Sequence, residues 1–105
     1  MKTKNENRTE AAYRQVKQFL RLGQVVATRA VVDQIPPQVY MDAILTRHAV
    51  GDWGNVCDED WKSNDWSLQN EARILSSYES PKGIRFWIIT EADRSVTTVL
   101  LPSDY

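Results

Sequence analysis

His48 is the one histidine in 105 residues. It is therefore the one side chain whose unperturbed pKa falls near neutrality, and a general acid or base would have to be this residue. It stands at the edge of an apolar helical stripe, beside Arg47 and just ahead of Gly51-Asp52-Trp53-Gly54. The competing reading is a packing or capping histidine at a helix C-terminus. Other chemistries are excluded more firmly. One cysteine and one histidine cannot make the usual structural zinc set. Asp58, Glu59, Asp60 and Asp65 lack the spacing of a calcium loop, and a helix cap with a solvated acidic face accounts for them. No metal and no cofactor is expected. Ser76, Ser77 and Ser95 are not surrounded by a Gly-x-Ser-x-Gly elbow, and no glycine loop is built for phosphate. Acidic neighbours disfavour a reactive thiolate at Cys57. The densest polar stretch is Thr90 to Thr98. Asp93 and Arg94 at a hairpin tip, flanked by Thr90, Thr97 and Thr98, would grip a phosphate or an acidic partner. The alternative is an Asx turn at Asp93, an Arg94–Glu91 pair and threonines that simply fill strand positions.

The elements that must position these groups are clearest at the C-terminal end. Three strands are predicted over 73–79, 84–90 and 96–101, joined by turns at Pro81-Lys82-Gly83 and 91–95, from β-branched and aromatic runs between Gly, Pro and Asp. Both faces of this meander are fairly apolar, so helices should cover one face and part of the other. Before it, a helix runs from Pro37 to about Ala49, with Tyr40, Met41, Ile44, Leu45 and His48 on one broad face. A third helix is capped by Asp58, with Trp61, Leu68 and Ala72 as its buried stripe. Trp66 lies off that stripe and is expected at the surface. Residues 24–28 read as a strand, followed by a turn or short helix. Thr9 starts a basic amphipathic helix over 10–22, in which Arg14, Lys17 and Arg21 lie off the apolar stripe; residues 1–8 are expected to form a disordered arm. The fold class is thus α+β, with two or three helices on an antiparallel meander of three to four strands, in one domain over 9–105.

Composition narrows the function classes. The net charge of -1 supplies no global field toward nucleic acid. It is unevenly spread: residues 1–22 hold six basic and two acidic groups, a surplus of four positive charges, while Asp52–Glu71 holds six acids and one lysine. With one cysteine there is no intrachain disulfide, which fits a reducing compartment. No apolar stretch marks a leader or a membrane span, so a cytoplasmic protein with no membrane partner is expected.

One pattern resembles a known family. Arg47-His48, Gly51-Asp52-Trp53-Gly54, Arg73-Ile74-Leu75-Ser76-Ser77-Tyr78, Thr90 to Thr98 and Leu100-Leu101-Pro102-Ser103-Asp104-Tyr105 look like a group of small proteins carried on bacterial plasmids and integrating elements, described as plasmid-related. The match spans roughly 25–105. It implies mobile-element cargo serving transfer, maintenance or evasion of host defence, without an assigned activity. A second resemblance is topological. Helices followed by a meander that ends in a terminal tyrosine are similar to the RelE/barnase-like ribonucleases, which work without a metal. That likeness implies His48 as acid or base, Arg73 and Arg85 as phosphate clamps, and Thr98 or Tyr105 on the sheet.

The expected function is a non-enzymatic binding module for a host- or element-encoded protein. Its contact surface would be Asp58, Glu59, Asp60, Asp65 and Trp66 with Asp93 and Arg94. The alternatives are the ribonuclease toxin and a weak nucleic-acid binder using Arg14, Lys17 and Arg21.

Overall fold

The computed structural model describes residues 19–105. The arm over 1–8, and most of the expected first helix with Arg14 and Lys17, lie outside the described residues. The C-terminal end of that helix is corrected: Phe19–Gly23 is not helical. Leu20 is pulled into a cluster with Trp53 and Ile74, and its N–H donates to the Ala49 carbonyl at 3.0 Å. Tertiary burial of Leu20 overrides the helical spacing. Gly23 then turns the chain with φ of 63°. A Cβ there would collide with the backbone carbonyls of Arg94 and Ser95.

Strand β1 is Gln24–Ala27 and helix α1 is Arg29–Gln34. Thr28 caps α1, its hydroxyl accepting from the Val31 N–H at 3.3 Å. Ile35, held extended ahead of Pro36, ends it. Helix α2, Pro37–Thr46, begins with a proline at its first position. It stops three residues short of the expected end, because Arg47 leaves helical geometry (φ -127°, ψ -67°). The chain tightens into a 3₁₀ turn at His48–Val50, closed by Gly51 with φ of 87°. Helix α3, Asp58–Asn70, is entered from Cys57 rather than Asp58, so the expected cap is displaced by one residue. Asp58, Glu59 and Asp60 fill its first turn, where the helix dipole favours negative charge.

The meander is β2 (Ile74–Glu79), β3 (Arg85–Thr90) and β4 (Val96–Leu100). The sheet order is β1-β4-β3-β2. The three C-terminal strands pair antiparallel as expected, but β1 joins β4 in parallel. The long intervening connection returns the chain to the same end of the sheet, the condition for a parallel pair.

By register, Ile74, Ser76, Tyr78, Phe86, Ile88, Thr90, Thr97 and Val99 share one face. Val31, Ile35, Ala43 and Ile44 from α1 and α2 pack on it in the main core. The other face carries Arg85, Trp87, Ile89, Thr98 and Leu100. It is half-covered: Tyr105 folds back so that its ring meets Trp87 edge-on at 5.7 Å.

The outer edge of β2 is occupied at Leu75 and Ser77. The Asn64 side-chain amide donates to the Leu75 carbonyl at 2.8 Å and accepts the Leu75 N–H at 3.3 Å. Ser77 exchanges backbone bonds with Trp53 and Asn55. Gly54 makes this approach possible, since a Cβ there would strike the Ser77 carbonyl and the Tyr78 ring. Among the described residues, strand β1 pairs on one side only. Among the described residues, no helix is long and apolar enough to cross a membrane.

Candidate functional site

The parallel placement of β1 and the early stop of α2 decide what happens to His48. The 3₁₀ turn drives its ring into the covered face of the sheet, where it is wholly buried. Nδ1 lies 2.6 Å from Ser76 Oγ and Nε2 lies 2.8 Å from Thr90 Oγ1. Thr90 Oγ1 is 2.7 Å from Thr97 Oγ1, which donates to the Leu22 carbonyl at 2.7 Å.

The directions in this chain follow from its last member. A carbonyl only accepts, so the single Thr97 proton goes to Leu22. Thr90 must then donate to Thr97 and accept from His48 Nε2–H. Neutral imidazole leaves Nδ1 as acceptor for the Ser76 hydroxyl. Every member is satisfied with His48 uncharged. Burial, with a lesser contribution from the positive charge of Arg94, holds its pKa down at about 3. Ser76 and His48 thus have the distance of a nucleophile and its base, yet neither reaches solvent. The pair ties the 3₁₀ turn to β2, β3, β4 and the entry segment; it has no path to a substrate.

The residues of the stretch from Arg47 to Gly54 are used in the same way. Arg47 Nε and Nη2 grip the Asp52 carboxylate at 2.8 and 3.3 Å. This pairing lowers the carboxyl pKa of Asp52, and burial partly opposes it. The Asp52 carboxylate also accepts the Gly54 N–H, and the Tyr78 hydroxyl donates to the Asp52 carbonyl at 2.6 Å. Burial raises the Tyr78 pKa. The Trp53 ring is completely buried, stands edge-on to His48 at 5.7 Å, and donates from Nε1 to Asp65 at 2.9 Å.

Arg94 is not displayed at a hairpin tip. It is buried and turns inward from a positive φ of 61°. Its guanidinium donates to the carbonyls of Ala72 at 2.6 Å, Ser67 at 2.9 Å and Glu91 at 3.2 Å. Ser67 lies in the last turn of α3 and Ala72 just beyond its end, so Arg94 caps that helix from another element at the negative end of its dipole. The Glu91 pairing is to its backbone; the Glu91 carboxylate faces Arg73 at 3.5 Å. Asp93 forms the expected local turn, accepting from the Ser95 N–H and hydroxyl.

Four of the five ribonuclease-type residues are spread over the half-open face, and of these only Arg73 and Tyr105 meet. Arg85 and Thr98 share it by register. Arg73 Nη1 donates to the Tyr105 hydroxyl at 2.7 Å, with the guanidinium 5.3 Å from that ring. His48 is on the opposite side of the sheet. Of the expected binding residues, Asp58, Glu59, Asp60, Asp65 and Trp66 are exposed along α3, and Arg94 pins the turn that carries Asp93 to the far end of the same helix. Arg21 is exposed and lies 3.9 Å from Glu71.

Sequence reasoning did not single out Asn64 and Ser67 as structural polar residues. Asn64 and Ser67 are the most buried positions of α3, while Trp61 and Leu68 of the expected stripe are only half-buried. No cluster of metal-ligating side chains occurs among the described residues. No protein-family model, curated protein or solved structure matches the chain.

Proposed function

We propose that this chain is a non-enzymatic binding module of a bacterial mobile element, engaging a host- or element-encoded protein and thereby modulating host defence. The observation that carries the reading is Trp66, 61% exposed on α3, on a helix whose first turn holds three acids. An indole displayed in this way costs hydration and contributes nothing to the core, and tryptophan is the side chain most enriched in interface hot spots. The acids around it favour a basic partner surface and speed encounter with it. Consistent with a binder, the only histidine is neutral, saturated with hydrogen bonds and sealed.

The test is capture from host lysate at low and high salt. A specific partner retained by the wild type and lost by Trp66→Ala, with thermal stability unchanged, supports the reading. No specific partner at either salt concentration removes it.

A second reading keeps one observation in its favour: Arg73, Arg85, Thr98 and Tyr105 share a sheet face, with Arg73 on Tyr105. A metal-independent ribonuclease toxin would use these four without His48. It predicts growth arrest on expression, relieved by Arg73→Ala. Harmless expression with no cleavage of RNA in vitro eliminates it.

A further inference from the structure

The geometry points to a second copy of this chain as the partner of strand β1, joined to it antiparallel about a twofold axis through Val26. The backbone bonds fix which groups of β1 are available. The Gln24 N–H donates to the Ser95 carbonyl and the Thr28 N–H to the Val99 carbonyl, both at 3.0 Å. Backbone direction alternates along a strand, so the N–H and C=O groups of Val25 and Ala27 point away from β4. Among the described residues no strand takes them. The opposite outer strand is treated differently, since β2 is occupied at Leu75 and Ser77. Gln24-Val25-Val26-Ala27 holds no proline and no charge, and it pairs with β4 in unbroken register without a bulge. It therefore lacks the usual chemical devices that keep an edge unpaired.

The sequence of β1 is complementary to itself. With Val25 and Ala27 facing outward, an antiparallel copy exchanges both backbone bonds between Val25 and the second copy's Ala27, and again between Ala27 and the second copy's Val25. Val26 then opposes Val26 of the second copy as the closer, non-hydrogen-bonded pair. It lies on the half-open face of the sheet, by register with Thr98, and is 37% exposed. A β-branched residue directly opposite another is a favourable cross-strand pair. The charges beyond the strand also match. Arg29 stands past the C-terminal end of β1, its side chain 88% exposed and paired with Asp33 one turn on, an ion pair of the weak, solvated kind. Asp93 stands near the N-terminal end of β1, in the turn that Gly23 abuts at the Arg94 and Ser95 carbonyls. Both bonds to its carboxylate end on Oδ1, and Oδ2 is uncommitted among the described residues. The twofold axis brings the Arg29 end of each copy to the Asp93 end of the other. A foreign strand would satisfy the same backbone groups without this charge match, which favours self-association. The helix that displays Trp66 flanks β2, at the opposite side of the sheet, so this pairing and the binding-module reading stand independently.

The experiment is analytical ultracentrifugation of the full chain, with amide hydrogen exchange measured by NMR over the same concentrations. A monomer–dimer equilibrium is expected, with a dissociation constant on the order of 10–100 μM for so short an edge. Exchange at the Val25 and Ala27 amides should slow as the dimer forms, while the Gln24 and Thr28 amides, bonded to β4, are protected at every concentration. Val26→Lys and Val26→Glu each set like charges across the axis. Each variant alone should sediment as a monomer with a melting transition close to the wild type's, and an equimolar mixture of the two should recover the dimer. Rescue by mixing separates an axis at Val26 from association through any other surface. The proposal is overturned by a protein that stays monomeric up to about 1 mM, by a dimer that survives both substitutions, or by variants that remain monomeric when mixed. Val25 and Ala27 amides already protected in the monomer would overturn it too, because the edge would then be paired within the chain.

Discussion

Lowering the pH attacks the fold through a single side chain before any carboxylate is involved. His48 titrates at about 3 in the folded protein and at about 6.5 in the unfolded chain. Between those values the unfolded chain takes up a proton that the folded chain refuses, so stability falls as pH drops. The full difference of about 3.5 pH units corresponds to about 5 kcal/mol, and the part lost between about pH 6.5 and 5 to about 2 kcal/mol. Against a total of about 5–15 kcal/mol for a domain of this size, that loss is large. Asp52 and Asp93, whose carboxyl pKa values are lowered, add their contributions only below about pH 4. The interval from about 7.5 to 5 therefore isolates the histidine. Urea unfolding followed by tryptophan fluorescence measures it. The wild type should lose about 2 kcal/mol across that interval, while His48→Gln, less stable at neutral pH, should hold an almost level profile. A level wild-type profile, or the same slope in His48→Gln, would refute the account of a neutral, fully bonded imidazole.

Three further substitutions probe the scaffold. Arg94→Ala removes donors from three carbonyls and leaves an alanine at positive φ; chemical denaturation should show a loss of about 2–4 kcal/mol. Gly54→Ala places a methyl group against the Ser77 carbonyl, and soluble expression with a normal melting transition would show that the β2 edge is not closed as described. The neighbouring serines should behave oppositely. Ser76→Ala strips the donor from His48 Nδ1 and costs about 1–3 kcal/mol. Ser77→Ala removes a buried hydroxyl that has no hydrogen-bond partner among the described residues, and should be neutral or raise the melting temperature.

The meander was legible because its punctuation is local: Pro81-Lys82-Gly83 and Asp93-Arg94-Ser95 mark turns by backbone preference alone. Exposed Trp66 was legible for a related reason, since its phase on α3 is fixed by helical periodicity. What could not be read depends on distant partners. The stop of α2 at Thr46 is set by where His48 must reach, and that needs Ser76 and Thr90 from two other elements. Leu20 obeys helical spacing yet is claimed by Trp53 and Ile74. Arg94 has the signature of a surface tip, and only the approach of the α3 C-terminus makes it a buried cap. The pattern Arg-His…Gly-Asp-Trp-Gly reads as chemistry because its residue types are reactive ones. In the fold they hold one another: Arg47 takes Asp52, Asp52 takes Gly54 and Tyr78, and Trp53 backs His48.

The two flanks of the sheet are unequal. The β2 flank is blocked by Asn64, whose amide mimics one residue of a neighbouring strand, and by the bridge at Gly54. Among the described residues only the β1 flank is left for strand-to-strand association. Propagation into a fibril requires two competent flanks per molecule, one to add and one to be added to. A molecule with one such flank can add one neighbour edge to edge and no more, so Asn64, buried on the helix that displays Trp66, acts as a guard against runaway polymerisation.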